Sequence, residues 1–223
     1  MTGAIDPIWE QTYAQGHGTH WPWDPVVTFV FRNRPRDRVG RLLELGCGVG
    51  ANLRFAAKEG LEIAGLDGSP SAISRLAQLL AAEGRSADLR VGVFPTLPWP
   101  DGSFDLVVDR AALTCVGRAI ALQTLEESWR VLRPGGRLFM NVYADDHRSA
   151  SSGELDENDL RHNISAGTLV GAGALCFWSE AQLRAAFAAR SWRLLQLDHV
   201  VHTALLSGGD RHTEWRLVAE RAP

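Results

Sequence analysis

Chemistry in this chain starts at Glu44, where an apolar run breaks into glycines two apart: Leu42-Leu43-Glu44-Leu45-Gly46-Cys47-Gly48-Val49-Gly50. Glycine takes positive φ without a Cβ clash and lets backbone lie against a ligand, so this loop can cradle something small at the start of the helix that follows. Asp67 closes the next apolar run, Ile63-Ala64-Gly65-Leu66, 21 positions beyond Gly46. In a βαβ unit that offset brings a carboxylate to the tip of the neighbouring strand, where it can accept hydrogen bonds from two ribose hydroxyls. Together the loop and the acid are suited to a nucleoside.

Those residues need a scaffold, and the hydrophobic periodicity supplies one. It predicts strands over 41–45, 62–66, 89–94, 104–108 and 137–143, alternating with helices over 51–59, 70–83 and 119–132. Alternation of this kind predicts a parallel sheet covered by helices, the α/β class. Ser69, Pro70 and Gly84 mark the ends of the second helix. Arg133-Pro134-Gly135-Gly136 should stop the third. From 144 to 178 the periodicity fails and Asp, Ser, Gly and Asn dominate, which reads as a long excursion. Ser179-Glu180-Ala181-Gln182 has capping-box spacing for a helix over 180–190, and late strands over 192–201 and 214–219 can pair antiparallel at one edge.

The chain has 223 residues and a formal net charge of −3. One core is expected, and the charge argues against a nucleic-acid partner, since such proteins show a basic stripe. Three scattered cysteines without a CxxC pair suggest neither a disulfide framework nor a metal site. No signal-peptide pattern and no apolar stretch of roughly 20 residues is present, so a cytoplasmic protein without a membrane partner is expected.

Four ordered segments carry a family resemblance. Glu44-Leu45-Gly46-Cys47-Gly48-Val49-Gly50, Asp67, Leu97-Pro98-Trp99-Pro100-Asp101-Gly102-Ser103-Phe104-Asp105 and Glu127-Ser128-Trp129-Arg130-Val131-Leu132-Arg133-Pro134-Gly135-Gly136 resemble the class I S-adenosylmethionine-dependent methyltransferases over roughly residues 40 to 143. The resemblance implies a doubly wound, Rossmann-like sheet of seven strands, mostly parallel with an antiparallel last strand. It implies S-adenosyl-L-methionine as cofactor, with Glu44, Gly46, Cys47, Gly48 and Gly50 near the methionine end and Asp67 at the ribose. Gly68, Val93 and Phe94 would then serve the adenine, and Asp109 completes the expected cofactor set. Many members carry an acid where this chain has Val93, so adenine is left to backbone and apolar contact. Asp109-Arg110-Ala111-Ala112-Leu113 is similar to a segment of the thiopurine and tellurite branch.

The glycine loop also satisfies the dinucleotide fingerprint G-x-G-x-x-G/A, so a nicotinamide-dependent oxidoreductase is the competing reading. Glu44 within the strand and the Leu-Arg-Pro-Gly-Gly stop favour the methyltransferase. One domain is expected over 1–223: a helical cap (1–38), a cofactor core (39–143), an acceptor-side excursion (144–178) and a C-terminal helix and strand pair (179–223).

For a hydroxyl acceptor a base must take a proton, and the candidates are His147, His20 and Asp145, drawn from the segments over the C-terminal sheet edge. Nitrogen or sulfur acceptors remain alternatives. Arg110 can pair with an anionic group on the acceptor, with Trp21, Tyr143 and His162 as further substrate candidates. Trp9, Tyr13, Trp21 and Trp23 either wall the acceptor or anchor an N-terminal helix. The expected partner is a small molecule, and the expected assembly a monomer or homodimer.

Overall fold

The computed structural model describes residues 6–206 and 210–222. Helices α1 (Pro7–Ala14) and α2 (Asp24–Asn33) precede the core. The core then runs β1 (Arg41–Leu45), α3 (Ala51–Lys58), β2 (Glu62–Asp67), α4 (Pro70–Ala82), β3 (Asp88–Val91), β4 (Phe104–Arg110), α5 (Arg118–Val131) and β5 (Leu132–Tyr143). A two-residue hairpin, β6 (Glu154–Leu155) with β7 (Arg161–His162), lies in the excursion, before α6 (Glu180–Ala188), β8 (Trp192–Ala204) and β9 (Asp210–Arg221).

Seven strands form one sheet in the order β3-β2-β1-β4-β5-β9-β8. β9 is antiparallel to both neighbours, so it alone runs against the other six. This reversed, inserted strand departs from the all-parallel 3-2-1-4-5-6 order of dinucleotide-binding sheets. After β3 the chain returns across the sheet to β4, on the far side of β1. That reversal opens a crevice at the C-terminal ends of β1 and β4, where ligands of open α/β sheets bind.

Strand alternation divides the apolar side chains between two layers. Leu43 and Leu45 face a core shared with α5 and α6, including Leu125, Leu183 and Phe187. Leu42 faces the other core, with Phe29, Val30, Leu53 and Leu76 from α2, α3 and α4. Glu44 has the parity of Leu42 and so points toward α3.

Three boundaries differ from the sequence reading. β3 ends at Val91 instead of Phe94, because it is an edge strand beside β2, whose last residue, Asp67, pairs with Val91. Gly92-Val93-Phe94 therefore leaves the sheet and turns over its C-terminal edge. At 133–136 the chain bulges within β5: Phe104 pairs with Leu132, but Leu106 pairs with Arg137. β8 and β9 extend beyond the expected strands as a long hairpin. The excursion carries its own order, with a single 3-10 turn at Arg148–Ser151 and an apolar cluster of Ile164, Leu169, Leu175 and Phe177. Among the described residues, no helix is long and apolar enough to cross a membrane.

Candidate active site

A cavity of about 370 Å³ lies over the β1/β4 crevice. Its floor is the glycine loop. Gly46, Gly48 and Gly50 all have φ between +52° and +73°, the left-handed region that disfavours other residues. At Gly46 a side chain would also overlap Ala112 Cβ, so the loop passes the turn after β4 with no room for one.

Glu44 is buried at the floor. Asn52 Nδ2, from the first turn of α3, donates to Glu44 Oε1 at 2.7 Å. Glu44 Oε2 has no hydrogen-bond partner among the described residues. Burial raises this carboxyl to about 8, opposed by the Asn52 hydrogen bond and the Arg110 charge. A buried carboxylate with one oxygen unanswered is costly, and a cation entering the cavity would relieve it.

Asp67, at the tip of β2, accepts from the Gly48 N–H (2.8 Å) on one oxygen and from the Ser69 N–H (2.8 Å) on the other. Burial pushes it up, while those two N–H groups pull it down. Each oxygen keeps a second lone pair for a hydroxyl donor. Gly68, Gly92, Val93 and Phe94 continue the wall beside it.

An N-terminal strap forms the roof. α1 brings Trp9 and Tyr13 to the wall, and the stretch between α1 and α2 adds His17, Gly18, Thr19, Trp21 and Trp23. A Cβ on Gly48 would stand 2.6 Å from the Tyr13 hydroxyl. The strap is tied down by Glu10, which accepts from Ser69 and Ser71 at the start of α4, and by Arg75, which donates to the Gly16 carbonyl at 2.8 Å. Burial raises the Tyr13 hydroxyl well above its usual range.

At the β4–β5 end, Arg110, Thr114, Cys115, Val116, Tyr143 and Leu175 close the cavity. Arg110 packs over the Trp23 ring, 5.3 Å from its centroid, and makes no ion pair among the described residues. Burial pushes the Tyr143 hydroxyl up to about 12.

The structure thus gathers Glu44, Gly46, Cys47, Gly48, Gly50, Asp67, Gly68, Val93, Phe94, Arg110, Trp21 and Tyr143 around one cavity. It does not bring the rest there. Asp109 lies behind the turn after β4, accepting from the Ala112 and Leu113 N–H groups at 3.0 Å each. His147 stands behind Tyr143, its ring centroid 5.7 Å away. Its Nδ1 accepts from the Ser149 N–H at 2.9 Å, and its Nε2 lies 3.1 Å from His212 Nδ1. Burial and the neighbouring His212 lower His147 to about 4. His20 and Asp145 are exposed and off the wall. His162 sits on β7, 3.0 Å from Asp156. Position after strand five suggested His147, but the 3-10 turn folds it inward beneath the excursion.

Asn52, His17 and Cys115 line the cavity and were not among the site residues chosen from sequence. Asn52 was detectable, since a polar residue one step into the helix after a glycine loop faces the end of β1. His17 and Cys115 carried no such signal.

Residues 43–140 match the methyltransferase domain family. Across 90% of this chain and 99% of the other, the fold is that of a SAM-dependent methyltransferase from Methanosarcina mazei, with a TM-score of 0.71 at 18% identity. Over residues 43–140 and in its fold, the chain is similar to S-adenosylmethionine-dependent methyltransferase domains. Over 126 residues it is 35% identical to the sterol 24-C-methyltransferase ERG6A of Gibberella zeae, which is 55% of this chain and 31% of that protein. Over 131 residues it is 28% identical to the norajmaline N-methyltransferase of Rauvolfia serpentina, 57% of this chain and 44% of that protein. The chain therefore spans less than half the length of these relatives.

S-adenosylmethionine is the cofactor of such a domain, and the residues present fit it. The unanswered Glu44 oxygen suits its ammonium group, and the side-chain-free loop suits close approach by its methionine end. Spare lone pairs on Asp67 suit its ribose.

Proposed function

We propose that this protein transfers the methyl group of S-adenosylmethionine to a small, largely apolar acceptor, with a hydroxyl oxygen as the receiving atom. The observation that carries the reading is that Glu44, whose buried carboxyl has one oxygen without a partner among the described residues, belongs to the lining of the glycine-loop cavity. Glu44 and the loop would hold the methionine portion, Asp67 the ribose, and Gly68, Val93 and Phe94 the adenine. When bound, the cofactor supplies a methyl carbon on a sulfonium, open to in-line displacement. The chain's main task is then alignment, with the acceptor and donor held in a near-attack geometry.

Acceptor space lies at the other end, between Trp9, Cys115, Val116, Tyr143 and Leu175. Two aromatic rings, a thiol and two aliphatic side chains favour an apolar ring system, in keeping with relatives named for a sterol and an alkaloid. Arg110 would pair with an anionic or carbonyl oxygen on it. A hydroxyl acceptor must lose its proton as the new C–O bond forms, and we assign that role to His17, the imidazole beside Tyr13 among the lining residues. His147 would serve by packing behind Tyr143.

The test is a panel of hydroxylated, amino and thiol ring compounds, scored by S-adenosylhomocysteine release. Methylation of hydroxylated members, lost in His17→Ala with cofactor affinity retained, is the expected result. Turnover confined to amines or thiols would overturn the oxygen assignment. No turnover together with no cofactor binding would overturn the function.

A further inference from the structure

Asn52 is a buried amide with both ends in use. Its Nδ2 donates to Glu44 Oε1 at 2.7 Å, and its Oδ1 accepts from the Trp23 backbone N–H at 2.9 Å. The first bond reaches the floor of the cavity. The second reaches the end of the strap that roofs it, since Trp23 is the residue before α2 and Gly18 of the same strap packs against Val49 of the glycine loop. Amide chemistry forbids the opposite orientation: turned over, the oxygen would face a carboxylate and the NH2 group would face an N–H. A single side chain, in one orientation, therefore spans from the roof to the acid.

We propose that Asn52 is a positioning residue that couples seating of the N-terminal strap to the Glu44 carboxylate meeting the donor's ammonium group. The inference rests on the proposed function for the identity of that cation. With the strap seated, the Asn52 oxygen is held by Trp23, its NH2 group is aimed at Glu44 Oε1, and Oε2 is left for the ligand. A cation on Oε2 favours the ionised carboxylate, which strengthens the Asn52 hydrogen bond. Coupling of this kind is reciprocal, so ligand binding should hold the strap more firmly.

The other groups acting on Glu44 are Asp67 from β2, Asp109 and Arg110 from β4, Cys47 from the loop and Tyr13 from α1. Arg110 favours the carboxylate and the two acids oppose it. Asn52 is the neutral donor among them.

Two variants of the full chain separate the arms. Asn52→Asp keeps an acceptor for Trp23 but sets a second carboxyl against Glu44. Asn52→Leu removes both bonds, and Asn52→Ser, too short to span both partners, replaces it should it fail to fold. Hydrogen exchange at the Trp23 amide is measured with and without S-adenosylhomocysteine, alongside titrations of that ligand from about pH 6 to 8.5.

In the wild type, ligand should slow Trp23 exchange by about tenfold or more. Asn52→Leu should exchange rapidly, with and without ligand. Asn52→Asp should keep slow exchange, bind roughly tenfold more weakly at pH 7, and show a binding profile displaced upward by about one pH unit. A residue that only stabilised the fold would lower the melting temperature and leave that profile in place. Wild-type exchange rates at Trp23 in ligand-free Asn52→Leu, or an Asn52→Asp profile superimposed on the wild type's, would overturn the coupling. Failure of the wild type to bind S-adenosylhomocysteine would instead contradict the proposed function, and the ligand-free exchange comparison would still decide whether Asn52 holds the strap.

Discussion

Glu44 is the residue on which the chemistry of the cavity turns. Its carboxyl lies near 8 because burial outweighs the Asn52 hydrogen bond and the Arg110 charge. Below that pH, an ammonium ligand must displace a proton before it can pair, at about 1.4 kcal/mol per pH unit. Affinity for S-adenosylhomocysteine is therefore expected to rise between about pH 6 and 8, by up to tenfold per unit. Glu44→Gln should bind more weakly and with a flat profile, as calorimetric titration across that range would reveal. Glu44, Asp67 and the glycines were legible in the sequence because Asp67 closes an apolar run at a strand tip, while Glu44 lies inside the run that breaks into the glycines. Asp109 terminates such a run too, yet its carboxyl folds back onto the next turn. His147 was not placeable, because the excursion that carries it follows no period and turns inward on its own apolar cluster.

At the scale of elements, the loop between β1 and α3 depends on glycine for both backbone and space. Gly46 sits at φ +60° against Ala112, whereas Gly60, after α3, sits at φ +85° in open space, with nothing within 4 Å of the point a Cβ would occupy. Alanine at Gly60 meets only the backbone cost of left-handed geometry, about 1–2 kcal/mol. At Gly46 it meets that cost and an overlap worth roughly 1–3 kcal/mol more. Gly46→Ala should thus lower urea-unfolding stability further than Gly60→Ala and abolish S-adenosylhomocysteine binding, which Gly60→Ala should retain. Helix α4 was readable to within a residue, because Ser69 caps it and Pro70 opens it. β3 was overextended: Val91, Val93 and Phe94 have strand-like side chains, but the ladder partner ends at Asp67. The strap was half legible. Its aromatics were plain, but their lid-like placement depends on Glu10, Arg75 and Asn52, whose partners lie 29 to 61 positions away.

The whole molecule combines a switch-point sheet with buried acids whose protonation enters its stability. Burial raises Asp109 to about 7 in the fold from an ordinary value of 3.8, outweighing the Leu113 and Ala112 N–H groups. The folded state then holds a proton that the unfolded chain releases, so this group's contribution is complete below pH 3.8 and is lost as pH rises through about 7. Asp109→Asn carries no such titration, and its stability relative to the wild type should improve as pH rises across that window, as paired urea denaturations would measure. Seven strands with an antiparallel last one were implied by the family resemblance, whereas the insertion of β9 between β5 and β8 emerges only in the folded sheet. The central claim is that one crevice, between the β1 loop and the tip of β2, holds an adenosyl sulfonium donor. Calorimetric titration of the full chain with S-adenosylhomocysteine and, separately, with NAD tests it most directly. The expected result is one saturable site for S-adenosylhomocysteine with proton release near neutral pH, and no heat from NAD. Saturable binding of NAD with none of S-adenosylhomocysteine would contradict it.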